Sequence, residues 1–225
     1  VDIVLMTVDK AELKVLIIRR GEEPFLHHWA LPGGFVREDE DLDTAAIREL
    51  EEETGITERG PLEQLGAYGN PERDPRPGRV VTVAYWAIVP NAPTPKGGTD
   101  AAHAEFMPVA EMESGRIQLA FDHGRIVADG IEKARASLEH TTIATEFCPP
   151  EFTIGELREV YDAVWDTKLD PGNFQRKLKQ SDGFLNPLDK KIRTSDKGGR
   201  PASLWTAGPA ETLSPPLVRP DPDEN

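Results

Sequence analysis

The chain has a single cysteine, Cys148, in 225 residues. That excludes an internal disulfide and any metal site built on several thiolates. It fits a reducing cytoplasm, and Cys148 itself reads as a small buried apolar residue. Long apolar runs are also missing, and no window approaches the roughly eighteen residues of a membrane span. The opening text, "VDIVLMTVDK", carries acids within its apolar run and has no basic start, so it reads as a strand and not as a signal peptide. Positive charge is scarce overall: 26 Lys and Arg stand against 40 Asp and Glu, a net −14. Taken whole, that balance argues against nucleic acid as a partner.

The charge is unevenly distributed. Residues 1–149 hold 15 basic and 27 acidic side chains, whereas residues 150–207 hold 10 and 9. Inside the second block, residues 173–200 hold 8 basic and 3 acidic residues, a local +5. A basic patch on an acidic chain is a more specific signal than overall basicity.

Periodicity divides the chain in the same place. "VDIVLMTV" and "LKVLIIRR" are β-branched runs on either side of a polar turn around residues 9–12, which predicts a hairpin. Residues 79–89 read as a third strand, and helical patterns run from Asp43 to Thr54 and from about His123 to Leu138. Strands interrupted by helices without regular βαβ repetition predict an α/β domain with a mixed sheet. Pro149-Pro150 then interrupts regular structure. Thr153 and Glu156 have capping-box spacing before a helix with Leu157, Val160, Tyr161 and Val164 on one face, ending near Lys168. Asp170-Pro171 starts another helix, "PGNFQRKLKQ", which buries Phe174 and Leu178 and exposes Arg176, Lys177 and Lys179. Two short strands, around 191–194 and 202–206, flank "SDKGGRP". Helix, turn, basic helix and basic hairpin is the order of a winged helix-turn-helix. The expected organisation is a first domain over 1–140, a linker over 141–152, the winged helix over 153–207 and a disordered, acidic, proline-rich tail over 208–225.

"RELEEETG", residues 48–55, crowds four glutamates into five positions. Like charges one helical turn apart are unfavourable by about 0.2–0.5 kcal/mol per pair. On a helical wheel Ala46, Ile47 and Leu50 form the buried stripe, while Glu49, Glu52 and Glu53 fall together on another side. A divalent cation would reverse the sign of their interaction, and Mg²⁺ (or Mn²⁺) suits an all-oxygen set that leaves room for a phosphate. "LPGG" at 31–34 precedes the helix, where Gly33 and Gly34 allow a sharp turn and offer a carbonyl near the carboxylates, and Gly55 can end it with a left-handed cap.

This segment resembles the Nudix box at nine spaced positions: Gly34, Glu40, Arg48, Glu49, Leu50, Glu52, Glu53, Gly55 and Ile56. The resemblance implies the Nudix α/β/α sandwich and Mg²⁺-dependent cleavage of a nucleoside diphosphate linked to another group. It implies that Glu52 and Glu53 ligate metal, that Glu49 ligates metal or helps activate water, that Arg48 holds the glutamates by ion pairing, and that Glu40 supports the loop. "HHWALPGGFV", "RDPRPGRVVTVAY" and "LAFDHGRIV" resemble the ADP-ribose branch of that family. On that reading Trp29, Arg76 and Arg79 join Gly33 and Gly34 in holding the ligand; otherwise Trp29 packs in the core and the arginines are solvated. His27-His28 reads as an exposed loop pair, and His123 as a capping or packing residue.

The whole order, Nudix domain followed by winged helix, resembles the Nudix-related transcriptional regulators, bacterial repressors of NAD-biosynthesis genes. Here the resemblance implies that the Nudix domain senses ADP-ribose, which releases the protein from its operator. It implies a homodimer on a palindromic site, with Asn173, Arg176, Lys177 and Lys179 reaching bases or phosphates and Lys197 and Arg200 in the wing. Two alternatives stay open. One is an ADP-ribose pyrophosphatase yielding AMP and ribose 5-phosphate; the other reads the second half as a small protein-interaction domain with a solvated basic face.

Overall fold

In the computed structural model the described residues are 1–57, 59–90, 94–95, 101–192 and 201–220. They form two compact units, Val1–Lys133 and Ala134–Asn225.

The first unit is built on a mixed six-stranded sheet. β1 (Asp2–Asp9) and β2 (Glu12–Arg20) form the expected antiparallel hairpin, turning at Lys10 and Ala11, whose φ values are +53° and +60°. The short β3 (Trp29–Ala30) continues the β1 edge of β2, pairing Ile18 with Ala30. After α1 (Leu42–Thr54), β4 (Glu63–Tyr68) pairs antiparallel with β5 (Thr82–Ile88), and β5 runs parallel to β1. β5 is shorter than the run over 79–89, because residues 79–81 belong to the preceding loop. β6 (Ala101–Pro108) covers the other edge of β2 and leads into α2 (Val109–Glu113) and α3 (His123–His140).

Both faces of the sheet are covered. Ile3 and Leu5 of β1 pack with Ala45, Ala46 and Leu50 of α1 in one core. Val4 points the other way, where α3 approaches so closely that a Cβ at Gly130 would lie 2.9 Å from Val4 Cγ1. Continuous burial over Val1–Thr7 follows from this two-sided packing. The architecture is an α/β/α sandwich. α1 starts with an Asp41 N-cap, whose carboxylate accepts from Thr44 N at 2.8 Å, and ends with Gly55 at φ +68°.

The second unit takes in the last part of α3. Trp165 donates through Nε1 to Arg135 O (3.1 Å), and Arg135 donates through Nε to Val164 O (3.0 Å). A five-residue 3-10 helix (Ile143–Phe147) leads to β7 (Phe152–Thr153), α4 (Ile154–Trp165), α5 (Pro171–Leu178), β8 (Leu185–Ile192) and β9 (Ala202–Ala207). The strands pair antiparallel in the order β7-β9-β8. Tyr161 lies fully buried at the centre, with its ring edge-on to Trp165 (4.8 Å) and Phe174 (5.2 Å). This is the winged helix. β8 begins at Leu185, six residues before the expected strand, because antiparallel pairing to β9 carries it across Pro187.

Two boundaries differ from expectation. α4 stops at Trp165, short of Lys168, where Asp166 adopts a left-handed conformation (φ +49°). The tail is ordered through residue 220: Leu213 and Leu217 are buried, and their amides donate to His140 O (2.8 Å) and Glu139 O (2.9 Å). Thr142 also donates to Ala210 O (2.8 Å) and Glu211 O (3.2 Å), so apolar burial and hydrogen bonds together dock it. Residues 221–225 lie outside the described residues. Cys148 is buried as expected, which pushes its thiol pKa up to about 12.

The Thr153 capping box is complete: Thr153 Oγ1 accepts from Glu156 N (3.1 Å), and Glu156 Oε2 accepts from Thr153 N (2.6 Å). Thr153→Ala should destabilise the winged helix by about 1 kcal/mol, read as a lower urea midpoint by tryptophan fluorescence.

Candidate functional site

A cleft of about 510 Å³ opens in the first unit, above the start of β1 and beside α1. Arg48 organises its acidic wall. Its guanidinium donates to both oxygens of Glu40, to Glu49 Oε1 (2.7 Å), to Glu52 Oε2 (3.0 Å) and to Phe35 O (3.2 Å). One planar fork thus ties the 35–40 loop to α1 and offsets the crowding of the glutamates. The pairing raises the Arg48 pKa above its ordinary value. It also holds Glu40 down at about 2, chiefly through the hydrogen bonds from Arg48.

Glu49 Oε1 and Glu52 Oε2 meet the same Arg48 nitrogen, at 2.7 and 3.0 Å, so these two carboxylates stand close together as the helical wheel predicts. Glu49 and Glu53 line the cleft, whereas Glu52 stands outside it, where Arg37 (3.2 Å) and Arg48 take its carboxylate. Nearby cations decide this orientation, and the wheel does not contain them. Among the described residues no group of three or more His, Cys, Asp or Glu side chains is gathered as a metal cage. Glu53 accepts from Gly33 N at 2.8 Å, and the Gly34 carbonyl accepts from the Val1 amine at 2.7 Å. A Cβ at Gly34 would meet the Glu49 carboxylate, so a side chain there would displace that carboxylate from its present position. The two inward carboxylates offer hard oxygen donors beside open space. That fits a divalent cation which keeps part of its water shell.

The opposite wall is basic and aromatic. Arg76 lies over Phe35 (4.9 Å) and Phe121 (5.7 Å), and Asp74 pairs with it (2.5 Å). Arg20 lies over the other reach of Phe121 (4.8 Å). Beneath them Arg73 is buried against Asp122 (2.8 Å) and Asp2 (3.3 Å). His123 is buried and also lines the cleft: its Nδ1 accepts from Leu31 N at 2.9 Å, Nε2 faces Asp2 at 3.4 Å, and burial lowers its pKa. Thr82 also lines the cleft, nearly buried, with a hydroxyl that has no hydrogen-bond partner among the described residues.

Of the residues expected to hold ligand, Gly33, Gly34 and Arg76 line the cleft. Trp29 does not: on β3 its ring stands beside Arg19 (5.6 Å) and His103 (6.0 Å). Nor does Arg79, which donates to Gly69 O at 2.6 Å. The cleft instead uses Arg20, Phe35, Arg73, Thr82 and Phe121. Phe35 adjoins the motif, and 65% of it is exposed, an unusual setting for a phenylalanine. The other four come together only through long-range folding. His27 and His28 are exposed, as expected.

In the second unit α5 is short and strongly two-sided. Asp170 caps it by accepting from Asn173 N (2.7 Å), Phe174 and Leu178 are buried, and Asn173, Arg176, Lys177 and the adjoining Lys179 are exposed. Arg176 donates to Asn173 Oδ1 at 3.0 Å, and among the described residues Arg176, Lys177 and Lys179 form no salt bridge. Lys190 and Lys191 on β8 add exposed basic groups that the motif reading did not single out, although Lys190 pairs with Glu151 (2.5 Å). Lys197 and Arg200 lie outside the described residues.

Comparison with known proteins assigns both units. The NUDIX domain family matches residues 1–130, and the NrtR DNA-binding winged helix domain matches residues 144–207. The ADPR responsive transcriptional repressor NtrR of Acinetobacter baylyi is 32% identical over 207 residues, 91% of this chain and 80% of that protein. The chain belongs to the NrtR-type family of Nudix-related transcriptional regulators. Two solved structures are similar to this NrtR-type regulator. Shewanella oneidensis NrtR complexed with a 27mer DNA matches at TM-score 0.79 and 30% identity, covering 96% of this chain and 98% of that one. The NUDIX domain of the same protein complexed with ADP ribose matches at TM-score 0.54 and 35% identity, covering 59% and 85%.

The Glu40–Arg48 bridge gives a pH signature. The folded Glu40 pKa lies below its ordinary 4.5, so its contribution is complete above that pH and is lost as pH falls toward 2. Glu40→Gln should therefore lose less stability than the parent chain between pH 4.5 and 2, measured by urea denaturation across that window.

Proposed function

We propose that this chain is a bacterial transcriptional repressor whose Nudix cleft takes ADP-ribose, and that occupancy of the cleft releases the winged helix from operator DNA. The observation that carries this reading is the presence, on one chain, of a diphosphate-sized cleft between arginines and carboxylates and of a helix whose cations have no acidic partners among the described residues. The naming of the Acinetobacter relative as ADPR responsive, and the ADP ribose and DNA complexes of the Shewanella protein, support it.

Within the cleft Arg76 and Arg20 provide charge for a diphosphate, and Phe35 provides an exposed face for a flat group. Glu49 and Glu53 would hold Mg²⁺ or Mn²⁺ on the facing wall, with Glu52 held to Arg48 behind them. When bound, that ion supplies positive charge to neutralise the diphosphate oxygens. In the second unit α5 enters the major groove, Asn173, Arg176 and Lys177 meet base edges or phosphates, and Lys179, Lys197 and Arg200 meet phosphates. A single module contacts too little DNA for specific repression, so the regulator acts as a homodimer on a palindromic operator. ADP-ribose is a breakdown product of NAD, and the genes controlled are those of NAD biosynthesis.

A second activity has its own support in the unbroken run Gly34, Glu40, Arg48, Glu49, Glu52, Glu53 and Gly55, which is the equipment for hydrolysing ADP-ribose to AMP and ribose 5-phosphate. In that reaction Arg48 positions Glu49 and Glu52, and Glu49 faces the attacking water.

One titration tests both readings. A labelled duplex recovered by selection from a random pool should bind with steep salt dependence. By linkage, ADP-ribose should weaken that binding by about tenfold or more. Insensitivity to ADP-ribose would remove the sensor. The same samples with Mg²⁺ report AMP, which Glu53→Gln should reduce about a hundredfold if metal charge carries catalysis; equal traces from both proteins would leave the box as a binding site alone.

A further inference from the structure

A second cavity, of about 220 Å³, lies within the winged helix, behind α5. Ile154 of α4, Leu178 of α5, Leu185 of β8 and Trp205 of β9 form its apolar walls, and Ser181 also lines it. Ser181 is 6% exposed, and its hydroxyl has no hydrogen-bond partner among the described residues. An unpaired buried hydroxyl is unfavourable, and native interiors rarely keep one. Gln175, Lys179 and Asp182, all exposed, complete the lining, and the four apolar side chains beside the buried hydroxyl suit an organic ring.

We propose that this cavity binds a small, neutral aromatic carboxamide, with its ring against Trp205 and the aliphatic walls and its carbonyl accepting from the Ser181 hydroxyl. The volume is below the roughly 300–1,000 Å³ of drug-sized sites, which restricts the occupant to a single ring. Lys179 and Asp182 both border the cavity, so a charged ligand attracted by one is repelled by the other. A carboxamide carries a donor and an acceptor without net charge. The occupant sits against Leu178 and Lys179, at the end of the helix proposed to read DNA. The site is distinct from the Nudix cleft, and the assignment does not depend on what that cleft binds.

Isothermal titration of the full chain with benzamide tests the assignment. Saturable binding at one site per chain is expected. Ser181→Ala should weaken it about fivefold, the value of one neutral hydrogen bond, and leave affinity for a selected duplex unchanged. Benzoate should bind more weakly than benzamide, and saturating ADP-ribose should leave benzamide binding intact. Absence of saturable binding, equal affinity in Ser181→Ala, tighter binding of benzoate, or displacement by ADP-ribose would each overturn the proposal.

Discussion

Arg48 is the constraint on which the first unit's cleft depends. Its single guanidinium reaches Glu40, Glu49, Glu52 and the Phe35 carbonyl, joining the loop after Gly34 to the helix that carries the carboxylates. Without it, three glutamates on adjacent turns would repel one another, and the loop would lose the ties that Glu40 and the Phe35 carbonyl make to α1. With it, Glu52 turns out toward Arg37 while Glu49 stays inward against the space that Gly34 leaves open. The arrangement is mostly shielded from water, with the Arg48 side chain 14% exposed, so the ion pairs are screened less than surface pairs are. Phe35, held by its own carbonyl, then stands at the cleft lip where Arg76 lies across it.

The two units divide charge as they divide work. The acidic first block, 15 basic against 27 acidic residues, is a poor surface for DNA, while the +5 stretch over 173–200 begins on α5. That contrast favours one docking orientation on a polyanion. The anionic ligand proposed for the first unit is admitted by local chemistry: Arg20, Arg73 and Arg76 place guanidinium groups around one cleft of an otherwise acidic domain.

Local patterns made much of this legible. The β1–β2 hairpin, the span of α1, the Thr153 box and the Asp170-Pro171 helix start all depend on residues a few positions apart, and the structure places them where spacing predicts. What spacing does not contain is the partner from elsewhere in the chain. Glu52 also takes Arg37, fifteen residues distant, as a partner. Trp29 is placed by the Arg19 beside it across the sheet, and Arg79 by Gly69 O. Phe121, Arg20 and Thr82 come to the cleft only when the turn before α3, β2 and β5 assemble. The tail's composition suggests disorder, yet buried Leu213 and Leu217, with hydrogen bonds to Glu139, His140 and Thr142, dock it.

Calorimetric titration of ADP-ribose into the parent chain and Arg48→Lys tests the central claim most directly. A lysine ammonium cannot span the same set of oxygens as a planar guanidinium. The account predicts that Arg48→Lys binds ADP-ribose at least about tenfold more weakly, the loss of one charge-assisted hydrogen bond or more, while binding DNA normally in its absence. Unchanged affinity for ADP-ribose in a folded Arg48→Lys protein would contradict it.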